Sequence, residues 1–180
     1  MRSILQPHPA AAYEAVRALE VEALRTGPVR LTLRYRVEGR VADLLIPPPA
    51  PPARTDELWR HTCFEAFLKA PDGEAYLEIN LAPSGQWAAY LFDGYREGMR
   101  DAPLAAAPVI QFHATDDALD LSADLDLTGL VPPDAPWQAG LTAVVEETGG
   151  RTSHWALAHP PGRADFHYLD GFALTLPSPA

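Results

Sequence analysis

Tyr76-Leu77-Glu78-Ile79-Asn80-Leu81-Ala82-Pro83-Ser84-Gly85-Gln86-Trp87 is the stretch that decides the fold. Leu77, Ile79 and Leu81 alternate with Tyr76, Glu78 and Asn80, the period of two that sends successive side chains to opposite faces of a strand. Pro83-Ser84-Gly85 then reverses the chain, because proline presets φ and glycine accepts positive φ. The next strand runs from Gln86 to Phe92. Upstream, Thr62 to Lys69 also reads as a strand and reaches Ala75 to Leu81 through a second turn sequence, Pro71-Asp72-Gly73. Three strands joined by two tight turns make an antiparallel meander.

Working outward, Leu31, Leu33, Tyr35 and Val37 alternate with Arg30, Thr32, Arg34 and Arg36, a half-buried strand with one solvated face. Gly39 is expected to turn the chain, with Val41 to Ile46 returning as the second strand of a hairpin. Ala10 to Arg25 has the composition of a helix, but Leu19, Val21 and Ala23 alternate with Glu20, Glu22 and Leu24, so its second half reads as strand. Pro47 to Ala53 is an extended, polyproline-like surface loop. Asp93-Gly94-Tyr95 closes the meander, and the chain reads as irregular to Ala107. Beyond it, Val109 to Ala114, Ala118 to Leu127, Gly140 to Glu146, Thr152 to Ala158 and Phe172 to Leu176 are short strands.

Nineteen prolines are scattered through the chain, which opposes long helices. Roughly ten short strands with little helix indicate an all-β fold. The expected architecture is one domain over residues 1–180: a two-sheet antiparallel β-sandwich, immunoglobulin-like or jelly-roll-like.

Charge and cysteine content narrow the function. Lys and Arg number 14 against 24 Asp and Glu, a net charge of −10 that would repel a phosphate backbone or an anionic bilayer. Nucleic acid and membrane are therefore not expected partners. Cys63 is the only cysteine, so no intrachain disulfide can form, and the first residues lack the apolar run of a signal peptide. A cytoplasmic location is expected.

The meander's faces suggest a site. Phe64, Ala66 and Leu68 share one face of the first strand; Cys63, Glu65 and Phe67 share the other. Should the register bring Glu65 near Glu78 and Asn80, one sheet would present carboxylates and an amide beside Tyr76, Phe67 and either Trp87 or Tyr90. Aromatic faces stacking on a polyhydroxylated ligand, with carboxylates and amides bonded to its hydroxyls, need that mixture. An ordinary solvated sheet face would carry the same residues without any ligand. Trp59 beside Arg60, and His154 beside Trp155, could anchor a ring or a carboxylate; both tryptophans would serve equally as core.

Other chemistries have weaker signals. His61 and Cys63 share a face if the strand begins that early, and His154 and His159 lie five apart, but neither pair has zinc-site spacing. No metal or cofactor is expected. Glu65 and Glu78 could form a glycosidase-like carboxylate pair, although nothing in the sequence sets their separation. Nucleophile-elbow, phosphate-loop and dinucleotide motifs are missing.

The segments Leu58 to Phe67 and Tyr76 to Trp87, with Phe92 to Arg96 and His154 to Pro160, resemble the DOMON-like superfamily, β-sandwich ligand-binding domains related to family 9 carbohydrate-binding modules. The resemblance runs from about Val29 to Leu176 and is to a bacterial, stand-alone branch. It implies a non-catalytic domain binding a saccharide or other hydroxylated small molecule, with Trp59, Glu65, Glu78, Asn80 and Trp87 carried over as contacts. Arg60, Tyr76 and His154 complete the candidate site. Relatives that bind haem use a Met–His pair, for which Met99, in an irregular segment, is the only internal methionine. A protein partner docking on the same face or on the proline-rich loop is the alternative.

Overall fold

The structure is a computed structural model and describes residues 1–179. Thirteen strands form two antiparallel sheets, packed as a sandwich. The first sheet holds β1 (Arg2–Ile4), β3 (Val16–Gly27), β4 (Arg30–Gly39), β10 (Ala118–Asp126) and β9 (Val109–Ala114), side by side in that order. The second runs β2 (Gln6–Pro7), β12 (Thr152–Ala156), β11 (Trp137–Glu146), β5 (Cys63–Lys69), β6 (Tyr76–Leu81), β7 (Trp87–Phe92) and β8 (Arg100–Asp101). A further strand, β13 (Leu174–Leu176), pairs with one end of β11.

The core lies between the sheets and follows from the alternation. Leu19, Val21 and Ala23 of β3, Leu31, Leu33, Tyr35 and Val37 of β4, and Leu119, Leu121, Ala123 and Leu125 of β10 face Phe64, Ala66, Leu68, Leu77, Ile79 and Leu81, all buried. Each buried Val, Leu, Ile or Phe among them contributes about 1.5–3 kcal/mol by leaving water. The first sheet's opposite face is solvated, with its charges paired across strands: Arg34 with Glu22 at 2.9 Å and Arg36 with Asp120 at 2.8 Å.

Two expected elements differ. Val41 to Ile46 forms no hairpin strand: Val41–Asp43 is a 3-10 turn, and Leu44 makes one isolated bridge to Glu147. β4 is already flanked by β3 and β10, so neither edge is free for a returning strand. Ala10 to Arg25 contains no helix; its alternating half is β3, paired with β4 almost throughout. The proline-rich stretch is tied down, with the Ala50 amide donating to the Ser84 carbonyl at 2.9 Å and the Trp87 amide to the Ala53 carbonyl at 3.1 Å.

The second sheet is buried on both faces, which alternation alone does not foretell. A second apolar cluster of Phe67, Tyr76, Ala88, Tyr90, Phe92 and Phe172 covers its outer side, joined by Leu58, Phe166 and Leu169. The cover is a 3-10 turn at Leu58–Arg60 and the chain leading to a second one at Leu169–Gly171. Gly140 lets that chain settle, since a Cβ there would press on the Gly171 carbonyl oxygen at 3.3 Å.

Candidate functional site

Strand register assembles the site on this covered face. Glu65 of β5 lies opposite Asn80 of β6 and Thr142 of β11, and Glu78 lies opposite Phe67 and Tyr90. Val144, in the next row, stands between Cys63 and His154. The covering chain stops short of this patch and leaves a cavity of about 420 Å³. Glu65, Glu78 and Val144 line it from the sheet, with Tyr90, Phe92 and His154 beside them; Asp165, Phe166, His167 and Arg96 come from the covering segments. Trp59, 47% exposed on its 3-10 turn, Met99 and Ala164 complete the lining. A larger concavity of about 520 Å³ on the outer face of the first sheet is lined by exposed charges already paired with one another, and it offers no buried polar group to a ligand.

The polar groups of the cavity are arranged in fixed bonds. The Asn80 amide donates to Glu78 Oε1 at 2.6 Å, and the Thr142 hydroxyl donates to Glu65 Oε2 at 3.1 Å. Glu65 Oε1 is buried and has no hydrogen-bond partner among the described residues. Burial and then the neighbouring Glu78 charge push the Glu65 carboxyl well above the usual carboxylate range, against the Thr142 bond. Burial also raises Glu78, opposed by the Asn80 bond and by Arg96.

A chain of bonds orients His167. The Arg96 amide donates to the Tyr76 hydroxyl at 3.2 Å, and that hydroxyl lies 2.7 Å from His167 Nδ1. His167 Nε2 faces Glu78 Oε2 across 3.8 Å, an acceptor that favours the ring proton on Nε2, with Nδ1 then accepting from Tyr76. Burial, then the Arg96 charge, push His167 down to about 4, so it is a neutral donor near neutral pH. Asp165 accepts from the Tyr95 hydroxyl, from Arg96 Nη2 at 2.8 Å and from the His167 amide at 3.0 Å. Those bonds hold its carboxyl below the usual range despite burial, which works the other way. Tyr90 donates its hydroxyl to Asp56 at 2.6 Å; burial and then that bond raise its pKa.

Of the residues expected from the sequence, Trp59, Glu65, Glu78 and His154 meet at the cavity. Tyr76 and Asn80 stand behind it, each holding a group that lines it. Arg60 points elsewhere: its guanidinium lies 5.1 Å over the Trp59 ring and pairs with Glu57 at 2.7 Å. Trp87 is the correction. It lies opposite Leu81 and packs on the sandwich core, the face away from the cavity; Tyr90, the other ring considered, takes the place. Trp155 is buried in the core, its indole N–H donated to Ser153 at 2.9 Å.

His61 and Cys63 do not share a site. His61 is exposed beside Glu146 at 3.1 Å, whereas the buried Cys63 thiol faces Asn80 Oδ1 at 3.7 Å. His159 bonds the Gln6 carbonyl at 2.8 Å. Sequence reasoning missed Phe92 and the Asp165–His167 segment as cavity residues, and placed Arg96 only within a resembling segment. Phe92 was readable, since Ala88, Tyr90 and Phe92 must share the face of Glu78. The Asp165–His167 segment has no periodic signal, because it is neither helix nor strand.

This architecture defines the chain as a two-sheet antiparallel β-sandwich, a fold that solved structures share. A protein of Bacteroides uniformis, provisionally described as carbohydrate-binding, superposes with a TM-score of 0.67 at 12% identity, over 91% of this chain and 81% of that one. A family 9 carbohydrate-binding module of Caldicellulosiruptor kristjanssonii, solved with cellotriose, gives 0.54 at 10% identity, over 90% and 74%. The module solved with glucose gives 0.50 at 11%, over 85% and 72%. No protein-family profile matches the sequence, and no curated protein does. At these identities the likeness establishes the fold. Among the described residues no helix is long and apolar enough to cross a membrane.

Proposed function

We propose that this chain is a non-catalytic binding domain for a saccharide or a similar hydroxylated small molecule, and that the cavity against β5, β6 and β11 is its site. The observation that carries the reading is a half-exposed tryptophan at a cavity lined by two buried carboxyl groups, one of which keeps an oxygen with no partner among the described residues. An indole face suits the apolar side of a sugar ring, and its hydroxyls suit Glu65 and Glu78. Leaving Glu65 Oε1 unpaired costs about 1–3 kcal/mol, which a ligand hydroxyl would recover. Neighbours of the same fold, solved with cellotriose and glucose, support the substrate class.

On this reading the chain falls among the DOMON-like domains, and the lone, buried thiol of Cys63 accords with a reducing, cytoplasmic setting. The solvated-face alternative for Glu65, Glu78 and Asn80 loses its ground, because all three are buried. Thermal denaturation with cellotriose, glucose and the glucosamine trimer tests the proposal. A sugar at 100 times its Kd stabilises by about 2.7 kcal/mol, and unchanged melting with all three would refute it.

A further inference from the structure

The cavity's charges do not balance. Glu65, Glu78 and Asp165 bring three carboxyl groups against one guanidinium, Arg96, which is already bound to Asp165 at 2.8 Å. His154 and His167 add no cation near neutral pH, since burial lowers both. That leaves Glu65 and Glu78 adjoining on the floor, 2% and 5% exposed, without a counter-ion of their own. Glu65 also has Oε1 free of any partner among the described residues. A neutral hydroxyl would satisfy that atom but leave the two acids opposed. A cation would satisfy the atom and relieve the opposition as well.

Resting on the saccharide reading above, we propose that the preferred ligand is an amino sugar whose protonated amine lies between Glu65 and Glu78 while its ring lies against Trp59. The amine provides three donors, and Glu65 Oε1 and Glu78 Oε2 can accept from it. Tyr90, Phe92 and Phe166 surround the place with aromatic rings, which favour a cation over a neutral group. Because a nearby positive charge favours the ionised carboxylates, binding displaces a proton from whichever carboxyl holds one.

Calorimetric titration of the whole chain with three oligosaccharides of one β-1,4 backbone tests this. The probes are cellotriose, the glucosamine trimer and the N-acetylglucosamine trimer, measured in two buffers that differ in ionisation enthalpy. The glucosamine trimer is expected to bind about tenfold more tightly than cellotriose or more, as charge-assisted bonds allow. In buffers acidic enough that its amines are already protonated it should release protons, and the acetylated trimer should show neither effect. Glu65→Gln should pull the ratio between glucosamine trimer and cellotriose towards one. Cellotriose binding as tightly as the glucosamine trimer overturns the inference and leaves the saccharide reading intact. A preference shared by the acetylated trimer also overturns it, since charge is then not the cause. No binding by any of the three overturns both.

Discussion

Replacing Trp59 with alanine separates ligand contact from structural support. An aromatic side chain carries about 150–250 Å² of surface, so a ring 47% exposed offers a ligand roughly 100 Å². At ~25 cal/mol per Å² that area is worth about 2.5 kcal/mol, or roughly 60-fold in Kd. The rest of the ring is covered by the protein, with the Arg60 guanidinium 5.1 Å over it. By the same coefficient its removal should cost the fold a similar amount, up to about 2.5 kcal/mol. Calorimetric titration of cellotriose gives the first quantity and urea denaturation the second. A folded alanine variant with unchanged Kd would refute the placement of the sugar against this ring.

Three further outcomes follow from the structure. Burial raises Glu65 and Glu78 above their unfolded value of 4.5, so their stabilising contribution, full below that pH, is lost as pH rises through the folded values. His154 and His167, lowered from 6.5, act in the opposite sense: their contribution is present above 6.5 and lost as pH falls through the folded values. Glu65→Gln removes one raised acid, so denaturation across the pH range should show the variant gaining on wild type as pH rises; a pH-independent difference contradicts this. Glu147, 3% exposed, accepts the amides of Glu14 and Ala15 at 2.8 Å each with Oε1. Glu147→Ala orphans both donors and should cost about 1–3 kcal/mol per donor in urea melts, with Glu147→Gln costing less. Gly39→Ala should destabilise by about 1–3 kcal/mol or more, because the new Cβ runs into the Ala15 carbonyl oxygen where β3 and β4 shift register. A melting temperature equal to wild type would show that the backbone there yields freely.

The sandwich was legible because β6 and β10 alternate cleanly, and because β5, β6 and β7 are short runs between turns whose residues have a stereochemical reason to be there. The pairing of Glu65 with Asn80 was open in the sequence, and the strand register decides it. Trp87 was misplaced although the same rule applied. Its neighbour across the turn is Leu81, so it shares the core face, and Tyr90, three residues on, faces Glu78. The cavity's roof was beyond reach. Asp165 and His167 are held, with Phe166 between them, by hydrogen bonds to Tyr95, Arg96 and Tyr76, contacts that join residues some 70 to 90 positions apart with no period to betray them. Burial of the second sheet on both faces was hidden for the same reason, since the cover is irregular chain.

The most direct test of the central claim is a titration of the isotope-labelled chain with cellotriose, followed residue by residue by NMR. Shifts are predicted at the Trp59 indole, at the amides of Glu65 and Glu78, and across Asp165–His167, with the solvated face of β3, β4 and β10 silent. Shifts confined to that solvated face, or no shift at saturating sugar, would contradict it.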